Sequence, residues 1–327
     1  MSQVDTCVII LNWNGQEHLA TCLDSVLGQS YDKYEVILID NGSKDDSVEF
    51  ISKNYPQVKI IQNKKNYGFA EGNNIAIREV LKNKNIKYIA TLNNDTEVDR
   101  EWLAELVRAV EADQKIGAVS SKFLFFNERN MIDSAGDFLY PGSLKVVTRG
   151  YKEQDKGQYD KLEQCFSARA GAALYRREML EDIRQDNDFF DHHFFTYIED
   201  TDLSVRALLK GWKILYAPKA RVFHKVAATT SKISYAFRRY HSGRNRVYLA
   251  IKNFPVKLWL PSLREKSSVD SDYKLSVLNS ALVYIKILSM VLISFPRLLK
   301  QRSYINKSRI IKQSEIFNWL NEYAIKK

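Results

Sequence analysis

Residues 87–99 read KYIATLNNDTEVD, an apolar run that ends abruptly in amide and carboxylate side chains. The apolar part covers residues 88–92, and Asn93, Asn94 and Asp95 follow it directly. This pattern predicts a buried β-strand that delivers a carboxylate to the edge of a sheet. The role of that carboxylate depends on what else reaches the same edge.

Before and after this stretch, apolar runs alternate with segments of helical periodicity. Predicted strands cover residues 7–12, 34–40, 58–63 and 87–95, and predicted helices cover residues 18–29, 46–56, 71–83 and 100–113. Strands separated by helices indicate βαβ units and a parallel sheet. The predicted class is therefore α/β.

Polar clusters follow each of these four strands. They are residues 12–15, 40–43, 63–66 and 93–95. Ligands of parallel sheets bind beyond the carboxyl ends of the strands, so these clusters predict one binding site. Carboxylate and amide oxygens suit Mg²⁺ or Mn²⁺, and such an ion would in turn hold diphosphate oxygens. The chain has no P-loop, no GxGxxG and no GxSxG motif.

The second half of the chain has a looser pattern. A strand is predicted to run into a helix over residues 166–180, and a further helix covers about 200–210. Two short strands are predicted on either side of Pro218. A long helix over 234–255 follows, and then an apolar segment, 273–296, that contains two lysines.

Charge divides the chain into two parts. The net charge is +10, but residues 230–327 hold 19 basic and 5 acidic side chains, a charge of +14. The remaining 229 residues therefore carry −4. A basic tail favours an anionic partner such as a membrane surface or nucleic acid. Three cysteines without CxxC spacing, and no signal peptide, are typical of a cytoplasmic protein.

Six motifs occur in the order and spacing of one enzyme family. They are VIILNWNG (8–15), YEVILIDNGSKDDS (34–47), NYGFAEGNN (66–74), LNNDTEVD (92–99), YIEDTDLSVR (197–206) and PKARVFH (218–224). Over residues 6–224 the sequence resembles a family 2 glycosyltransferase with the GT-A fold, in particular the rhamnosyltransferase-like subgroup of bacterial surface polysaccharide synthesis. The resemblance implies a Rossmann-like, mostly parallel sheet flanked by helices, with a catalytic domain over 1–229 and a basic helical extension over 230–327.

The resemblance also implies a donor site and a metal site. Residues implied in nucleotide-sugar binding are Asn12, Asn14, Asp40, Asn41, Asn66, Gly68, Phe69, Gly72, Asn73, Asn93, Asn94 and Asp95. Asp95 and His224 would hold Mg²⁺ or Mn²⁺. The copy of the DxD-type motif here begins with Asn93, which leaves it one carboxylate short. Asp99 is interpreted as a helix N-cap.

Catalysis is implied for the IEDTD motif. An inverting transfer needs a carboxylate that takes the proton of the acceptor hydroxyl. The resemblance gives that role to Asp200, with Glu199 as its neighbour. The alternative interpretation is that these acids, with Asp202, complement the dipole of a helix.

Together these observations imply inverting, metal-dependent transfer of one sugar to a saccharide or lipid-linked acceptor. The first candidate donor is dTDP-rhamnose, and a UDP-hexose is the alternative. A processive synthase of the same family would carry a QxxRW motif, which residues 238–248 lack. A nucleic-acid-binding protein is the alternative from another class, but an apolar segment follows the basic one, so we predict no nucleic-acid partner. We expect a peripheral location on the inner face of the plasma membrane, with a homodimer through the apolar segment as the alternative.

Overall fold

The computed structural model describes residues 3–140, 143–226, 234–264 and 276–325. The strands are β1 (Thr6–Asn12), β2 (Tyr34–Asp40), β3 (Lys59–Gln62), β4 (Tyr88–Asn93), β5 (Thr96–Val98), β6 (Ile116–Phe125), β7 (Ile132–Ser134), β8 (Asp137–Leu139), β9 (Val146–Thr148), β10 (Glu163–Gln164), β11 (Ala172–Arg176) and β12 (Lys213–His224). The helices are α1 (Gln16–Leu27), α2 (Ser47–Asn54), α3 (Gly68–Val80), α4 (Trp102–Glu111), α5 (Arg177–Ile183), α6 (Glu199–Leu209), α7 (Tyr235–Asn253), α8 (Trp259–Arg264), α9 (Val277–Ser308) and α10 (Ile316–Glu322).

A mixed ten-stranded sheet forms the centre of the molecule. Its strand order is β10-β12-β6-β11-β4-β1-β2-β3, with β5 on β12 and β7 on β6. Strands β3, β2, β1 and β4 pair in parallel, and β11 is antiparallel to both β4 and β6. Because β12 is parallel to β6, six strands point the same way. The α/β prediction is confirmed.

The parallel register brings the polar strand ends to one edge. Asn12 is paired with Asp40, and Leu11 is paired with Asn93. His224, the last residue of β12, pairs with Phe125 at the end of β6. Since these strands share a direction, their last residues face the same side of the molecule.

Both faces of the sheet are covered, which explains why the parallel strands are apolar throughout. In β1, Cys7 and Ile9 belong to one buried cluster, and Val8 and Ile10 belong to the other. Helices α1 and α4 cover one face, and α3, α5 and α6 cover the opposite face. The three cysteines are buried free thiols.

One sequence prediction about proline is wrong. Strand β12 continues across Pro218, where two short strands were expected, because its pairing with β6 is irregular between Ala217 and Arg221. Proline is tolerated at such a break in the ladder. Helix α9 likewise continues past Pro296 to Ser308. The short strand β5, directly after Asp95, was not predicted.

The C-terminal helices pack against the sheet domain. Ile316, Trp319, Leu320 and Tyr323 belong to the same buried cluster as the sheet. The backbone of Leu139 in β8 donates to Tyr323 O at 2.8 Å and accepts from the N–H of Ile325 at 2.8 Å. The end of the chain therefore contributes to the core.

Candidate active site

Hydrogen bonds join the carboxyl ends of β1, β2 and β4. Asn12 Nδ2 donates to Asp40 Oδ1 at 3.2 Å, and Asn12 Oδ1 accepts from Asn94 Nδ2 at 2.6 Å. The other oxygen of Asp40 accepts from the backbone N–H of Ser43 at 3.0 Å. These three strand-end side chains are buried. One oxygen of Asp40 is thus committed to the turn, as an Asx-type turn requires.

Asn41 fixes the loop that follows β3. Its Nδ2 donates to Asn66 Oδ1 at 3.0 Å and to Gly68 O at 3.1 Å. Its Oδ1 accepts from Asn63 Nδ2 at 3.1 Å and from Tyr67 N at 3.2 Å. The amide of Asn41 is used within the protein, so its observed role is to shape the loop.

Glycines allow this loop and the next helix to approach their neighbours closely. Gly68 has a φ of +82°, and a Cβ there would lie 2.5 Å from the carbonyl oxygen of Phe195. A Cβ on Gly72 would lie 2.7 Å from Leu11 Cδ1. Gly68 therefore requires glycine on steric and backbone grounds, and a larger residue at Gly72 would require the Leu11 side chain to shift.

The remaining donor-site predictions lie on the same side of the molecule. Asn73 is buried and donates to the carbonyl of Phe69 at 2.9 Å, within its own helix. The ring of Phe69 packs edge to face on Phe190. Asn14 Oδ1 accepts from Lys44 N at 2.7 Å. In the structure these side chains all have protein partners, and none of them is an unsatisfied buried polar group.

Asp95 differs from the other polar side chains of this edge. It is 6% exposed, and its Oδ1 is buried without a hydrogen-bond partner among the described residues. His224 Nε2 lies 3.6 Å away, and His224 Nδ1 contacts Asp133 Oδ2 at 2.9 Å. Buried polar atoms normally have partners, and a carboxylate oxygen facing an imidazole nitrogen fits a bound divalent cation.

The electrostatics of His224 reflect the two acids beside it. Burial lowers the pKa of His224, but hydrogen bonding and charge from Asp133 and Asp95 outweigh it and raise the pKa to about 9. The imidazole therefore responds to a strongly negative environment. A cation bound to Asp95 would supply the same compensation and leave the imidazole neutral to act as a ligand.

A continuous set of contacts leads from this pair to the IEDTD motif. Arg169 Nη1 lies 3.3 Å from Asp133 Oδ2. The next backbone N–H, that of Ala170, donates to Asp200 Oδ2 at 3.2 Å, and Thr201 N donates to Asp200 Oδ1 at 2.7 Å. Asn93 lies on the same path, since its N–H donates to the carbonyl of Gly171 at 2.8 Å.

The two neighbouring acids of α6 have different environments. Glu199 is 5% exposed, its Oε2 has no hydrogen-bond partner among the described residues, and burial together with the charge of Asp200 raises its pKa well above the usual range. Asp200 is partly exposed, and burial also raises its pKa. Glu199 is thus an inaccessible acid, whereas Asp200 can meet a ligand.

The other acids near Asp95 have structural partners. Glu97 forms a two-bond ion pair with Arg129, at 2.9 and 2.7 Å. Asp99 pairs with Arg221 at 2.7 Å and accepts from Glu101 N in the turn before α4. Helix α4 begins at Trp102, its N-cap residue is Glu101, and no side chain caps it. The N-cap interpretation of Asp99 is therefore wrong.

Asp202 lies in the first turn of α6, where the dipole interpretation places it. It is fully buried and pairs with Arg206 at 2.9 Å and with Lys252 at 3.0 Å.

A second group of side chains of the types that bind metals, Glu71, Asp188 and His192, lies together elsewhere in the described residues. Arg78 pairs with both Glu71 and Asp188, so one of the two negative charges of this group is already compensated.

Sequence reasoning missed Asp133 and Arg169. Both are charged residues within runs of small or apolar side chains, IDSAGD and SARAG. That placement is a weak signal for a buried charge. Their partners lie far away in the chain, and only the sheet brings them together.

A family model described as glycosyl transferase family 2 matches residues 7–184. The chain belongs to this family. It is therefore a glycosyltransferase, as the six motifs predicted.

Curated relatives include the poly-beta-1,6-N-acetyl-D-glucosamine synthases of two staphylococci. The Staphylococcus aureus (strain COL) protein is 23% identical over 242 residues, which are 72% of this chain and 54% of the relative. The Staphylococcus epidermidis protein is 23% identical over 265 residues, or 79% of this chain and 60% of the relative. The chain thus spans little more than half the length of these relatives.

Solved structures with the same fold include two glycosyltransferases. S. aureus TarS (residues 1–349) has a TM-score of 0.57 at 15% identity and covers 98% of this chain and 90% of its own. GalNAc-T7 with UDP, GalNAc and Mn²⁺ has a TM-score of 0.59 at 18% identity, over 77% of this chain and 48% of its own. At these identities the likeness establishes the GT-A-type fold.

Proposed function

We propose that this chain is an inverting, metal-assisted glycosyltransferase that moves one sugar from a nucleotide-diphospho-sugar to a saccharide or lipid-linked acceptor. The observation that carries the proposal is the unpartnered, buried Oδ1 of Asp95 beside His224, in a network that reaches Asp200. Asp95 and His224 would hold Mg²⁺ or Mn²⁺. The bound ion would neutralise charge on the diphosphate leaving group.

The donor would lie along the ends of β1 and β2. Asp40 has one oxygen held by the turn at Ser43 and the other by Asn12, so its orientation is fixed before a ligand arrives. An oriented carboxylate can accept the N3–H of uracil or thymine. The loop shaped by Asn41 and the close approach at Gly68 support a backbone surface for the ribose.

The accessibility of the two acids favours Asp200 as the base that takes the acceptor proton. A general base must reach the hydroxyl it deprotonates and must be ionised. Glu199 is buried, so it does not reach the acceptor hydroxyl, and burial raises its pKa well above the usual range. Asp200 is partly exposed; burial raises its pKa, and hydrogen bonds from the backbone N–H groups of Ala170 and Thr201 offset part of that rise.

The identity of the donor sugar is a more specific proposal. dTDP-rhamnose remains our first candidate because of the subgroup resemblance, with a UDP-hexose as the second candidate. The second is favoured by two structures of the same fold, S. aureus TarS in complex with UDP and GalNAc-T7 with UDP, GalNAc and Mn²⁺. Transfer of one sugar, instead of polymer synthesis, is supported by the absence of QxxRW in residues 238–248.

We also propose that the chain binds the anionic inner face of the plasma membrane through α9. One face of this helix packs on α7, where Ile287 and Leu298 are buried. The opposite face exposes large apolar side chains at Leu278, Leu282, Ile285, Leu288, Leu292, Ile293 and Leu299. Between 277 and 308 the sequence has five basic residues and no acidic one.

The length and charge of α9 support a position in the interface. By length and composition α9 is a candidate span, with a mean hydropathy of 1.8 in its most apolar window, of which 11% is buried. Because α9 lies against α7, its outer face is the part available to lipid. An apolar face beside several cations is typical of helices that lie on anionic membranes.

A nucleotide-sugar binding screen tests the enzymatic proposal. The thermal stability of the protein is measured with dTDP-rhamnose and UDP-hexoses, each with and without Mn²⁺. A donor at 100 times its dissociation constant stabilises the protein by about 2.7 kcal/mol. Stabilisation that needs both donor and Mn²⁺ supports the proposal, and the absence of any such pair contradicts it.

A further inference from the structure

The segment between the 3₁₀ helix His192–Phe194 and α6 has an unusual backbone. Phe195, Tyr197 and Ile198 have φ values of +66°, +69° and +69°, although none of them is glycine. Aromatic and β-branched residues rarely adopt this conformation, and it persists only where neighbouring groups determine it. Ile198 directly precedes Glu199 and Asp200, so this backbone fixes where α6 begins.

Two adjacent side chains of α7 bind the carbonyl groups of this segment. Asn245 Nδ2 donates to Phe194 O at 2.9 Å, Thr196 O at 2.9 Å and Tyr197 O at 2.7 Å. Arg244 Nη2 donates to the carbonyls of residues 193 and 194, each at 2.9 Å.

The two side chains also orient each other. Arg244 donates to Asn245 Oδ1 through Nε at 2.9 Å and through Nη2 at 2.8 Å, which turns the amide nitrogen towards the segment. Asn245 is fully buried and Arg244 is 7% exposed. The guanidinium lies between the rings of Tyr240 and Tyr248, at 5.3 and 5.2 Å. Such a buried network has few alternative arrangements.

The carbonyl of Phe195, within this segment, contacts the loop and helix on the donor side of the site. Phe195 O accepts from the N–H of Ala70 at 3.1 Å, in the first turn of α3. Gly68 packs against the same carbonyl. The segment 193–198 therefore contacts the proposed donor loop on one side and continues into Asp200 on the other.

We infer that Arg244 and Asn245 are positioning residues, which hold segment 193–198 in its strained conformation and so set Asp200 relative to the donor loop. The inference rests on the proposed function of Asp200. It makes α7 a functional part of the active site, although α7 lies outside the segment that the family model matches. Neither side chain is required to touch substrate.

Asn245→Leu tests the inference, because it keeps the size of the side chain and removes its donors. We expect kcat to fall by about 10²-fold, the scale of a misplaced catalytic group, while KM for the donor changes little. Leu249→Ala is the matched control, since Leu249 is a buried residue of the same helix that belongs to the core cluster. The control should lower stability with kcat nearly unchanged. Asn245→Leu with unchanged kcat, or a loss equal to that of the control at equal stability, overturns the inference.

Hydrogen exchange provides a readout that needs no enzymatic activity. Amides of residues 193–202 should exchange faster in Asn245→Leu than in the wild type, while amides of β1 and β4 keep their protection. If Asn245→Leu fails to fold, Arg244→Lys replaces it, since lysine keeps the charge but cannot reach two carbonyls and the amide together. Unchanged amide exchange of residues 193–202 contradicts the positioning role of Arg244 and Asn245. Altered local exchange in a protein that transfers no sugar contradicts the proposed function instead.

Discussion

At the scale of single residues, the strand ends contain amides that satisfy one another and one carboxylate oxygen, facing His224, that has no hydrogen-bond partner among the described residues. Asn12 joins Asp40 to Asn94, and Asn41 uses its whole amide on the next loop. This leaves Asp95 Oδ1 as the unsatisfied buried atom at this edge in the described residues. A buried acceptor without a partner costs about 1–3 kcal/mol, which a bound cation would recover.

Asp95→Ala is the direct test of this atom. We expect the variant to lose the stabilisation that Mn²⁺ and a nucleoside diphosphate give together, about 2.7 kcal/mol at 100 times the dissociation constant. Its stability without ligand should fall at neutral pH, because His224, whose pKa Asp133 and Asp95 raise to about 9, loses one of these two acidic partners. Glu97→Ala is the control, since Glu97 pairs with Arg129 away from His224. Retained Mn²⁺-dependent stabilisation in Asp95→Ala would move the metal site elsewhere.

Asp200→Asn and Glu199→Gln separate the two neighbouring acids. Asp200→Asn should slow transfer by about 10²-fold or more with donor affinity unchanged, the scale of lost general-base catalysis. Glu199→Gln should keep most of the turnover, because the buried side chain does not reach the acceptor hydroxyl. Steady-state rates of both variants decide the assignment, and the reverse order of effects would make Glu199 the base.

The raised pKa of Glu199 also predicts how stability depends on pH. A buried acid whose folded pKa lies above its unfolded value of about 4.5 binds more protons in the folded state. Its contribution to stability is therefore present at low pH and is lost as pH rises from that value through the folded pKa. In Glu199→Gln this loss should disappear, so the variant gains stability relative to the wild type at neutral pH. Urea unfolding at several pH values measures the difference, and parallel pH profiles would contradict the assignment.

At the scale of elements, α7 links three parts of the molecule through one buried cation. Lys252 Nζ lies 2.6 Å from Asp191 Oδ2 and 3.0 Å from Asp202 Oδ2, and the lysine is fully buried. Burial raises the pKa of Asp191, but the charge of Lys252 outweighs it and holds the pKa well below its usual range. Gln301 of α9 donates to the same carboxylate at 3.0 Å. Helices α6, α7 and α9 thus share one ionic centre.

Lys252→Met should destabilise the protein by about 3–5 kcal/mol, because two buried carboxylates lose their shared cation. Lys257→Met is the control, since Lys257 is exposed in the next turn of the chain. Because Asp191 has a depressed pKa, its contribution is present above its unfolded pKa and is lost as pH falls below it. The difference between wild type and Lys252→Met should therefore shrink in acid. A difference that stays constant with pH would contradict this ionic role.

The sequence predicted the helices and strands, and the contacts between them, only in part. Periodicity located the buried parallel strands and most helices, because local pattern determines them. The pairing of Asp133 with His224, and of Arg169 with Asp133, depends on strands that are far apart in the chain. The role of Asn245 depends on a strained segment 48 to 51 residues away, for which local sequence gives no signal. Pro218 was misread because an irregular ladder, visible only in the pairing, accommodates it.

At the scale of the whole molecule, the acidic body and the basic tail are packed together. Residues 1–229 carry −4 and the remainder carries +14, yet α10 completes the core of the body. A deletion of the chain after α7 would therefore expose that core and could not test the tail alone. Surface substitutions on α9 are the sharper experiment.

Replacing Ile285 and Leu292 together by glutamate tests membrane binding by α9. These side chains are 61% and 74% exposed, so the double variant should fold normally. We expect the wild type to float with anionic liposomes and the double variant to lose at least about tenfold in binding, because two apolar contacts worth about 1.5–3 kcal/mol each are removed and the new charges repel the lipid.

Leu162→Glu is the matched control for this double variant, since Leu162 is an exposed apolar residue outside the tail. Binding by the wild type should prefer anionic to neutral liposomes and weaken as salt is raised, because each basic residue near the surface contributes about 1 kcal/mol. Sedimentation of the same proteins without lipid tests the alternative, which is a homodimer formed through α9. The membrane proposal is wrong if none of the proteins floats with liposomes, the wild type is a dimer and the double variant is a monomer. In that case the outer face of α9 is a protein interface.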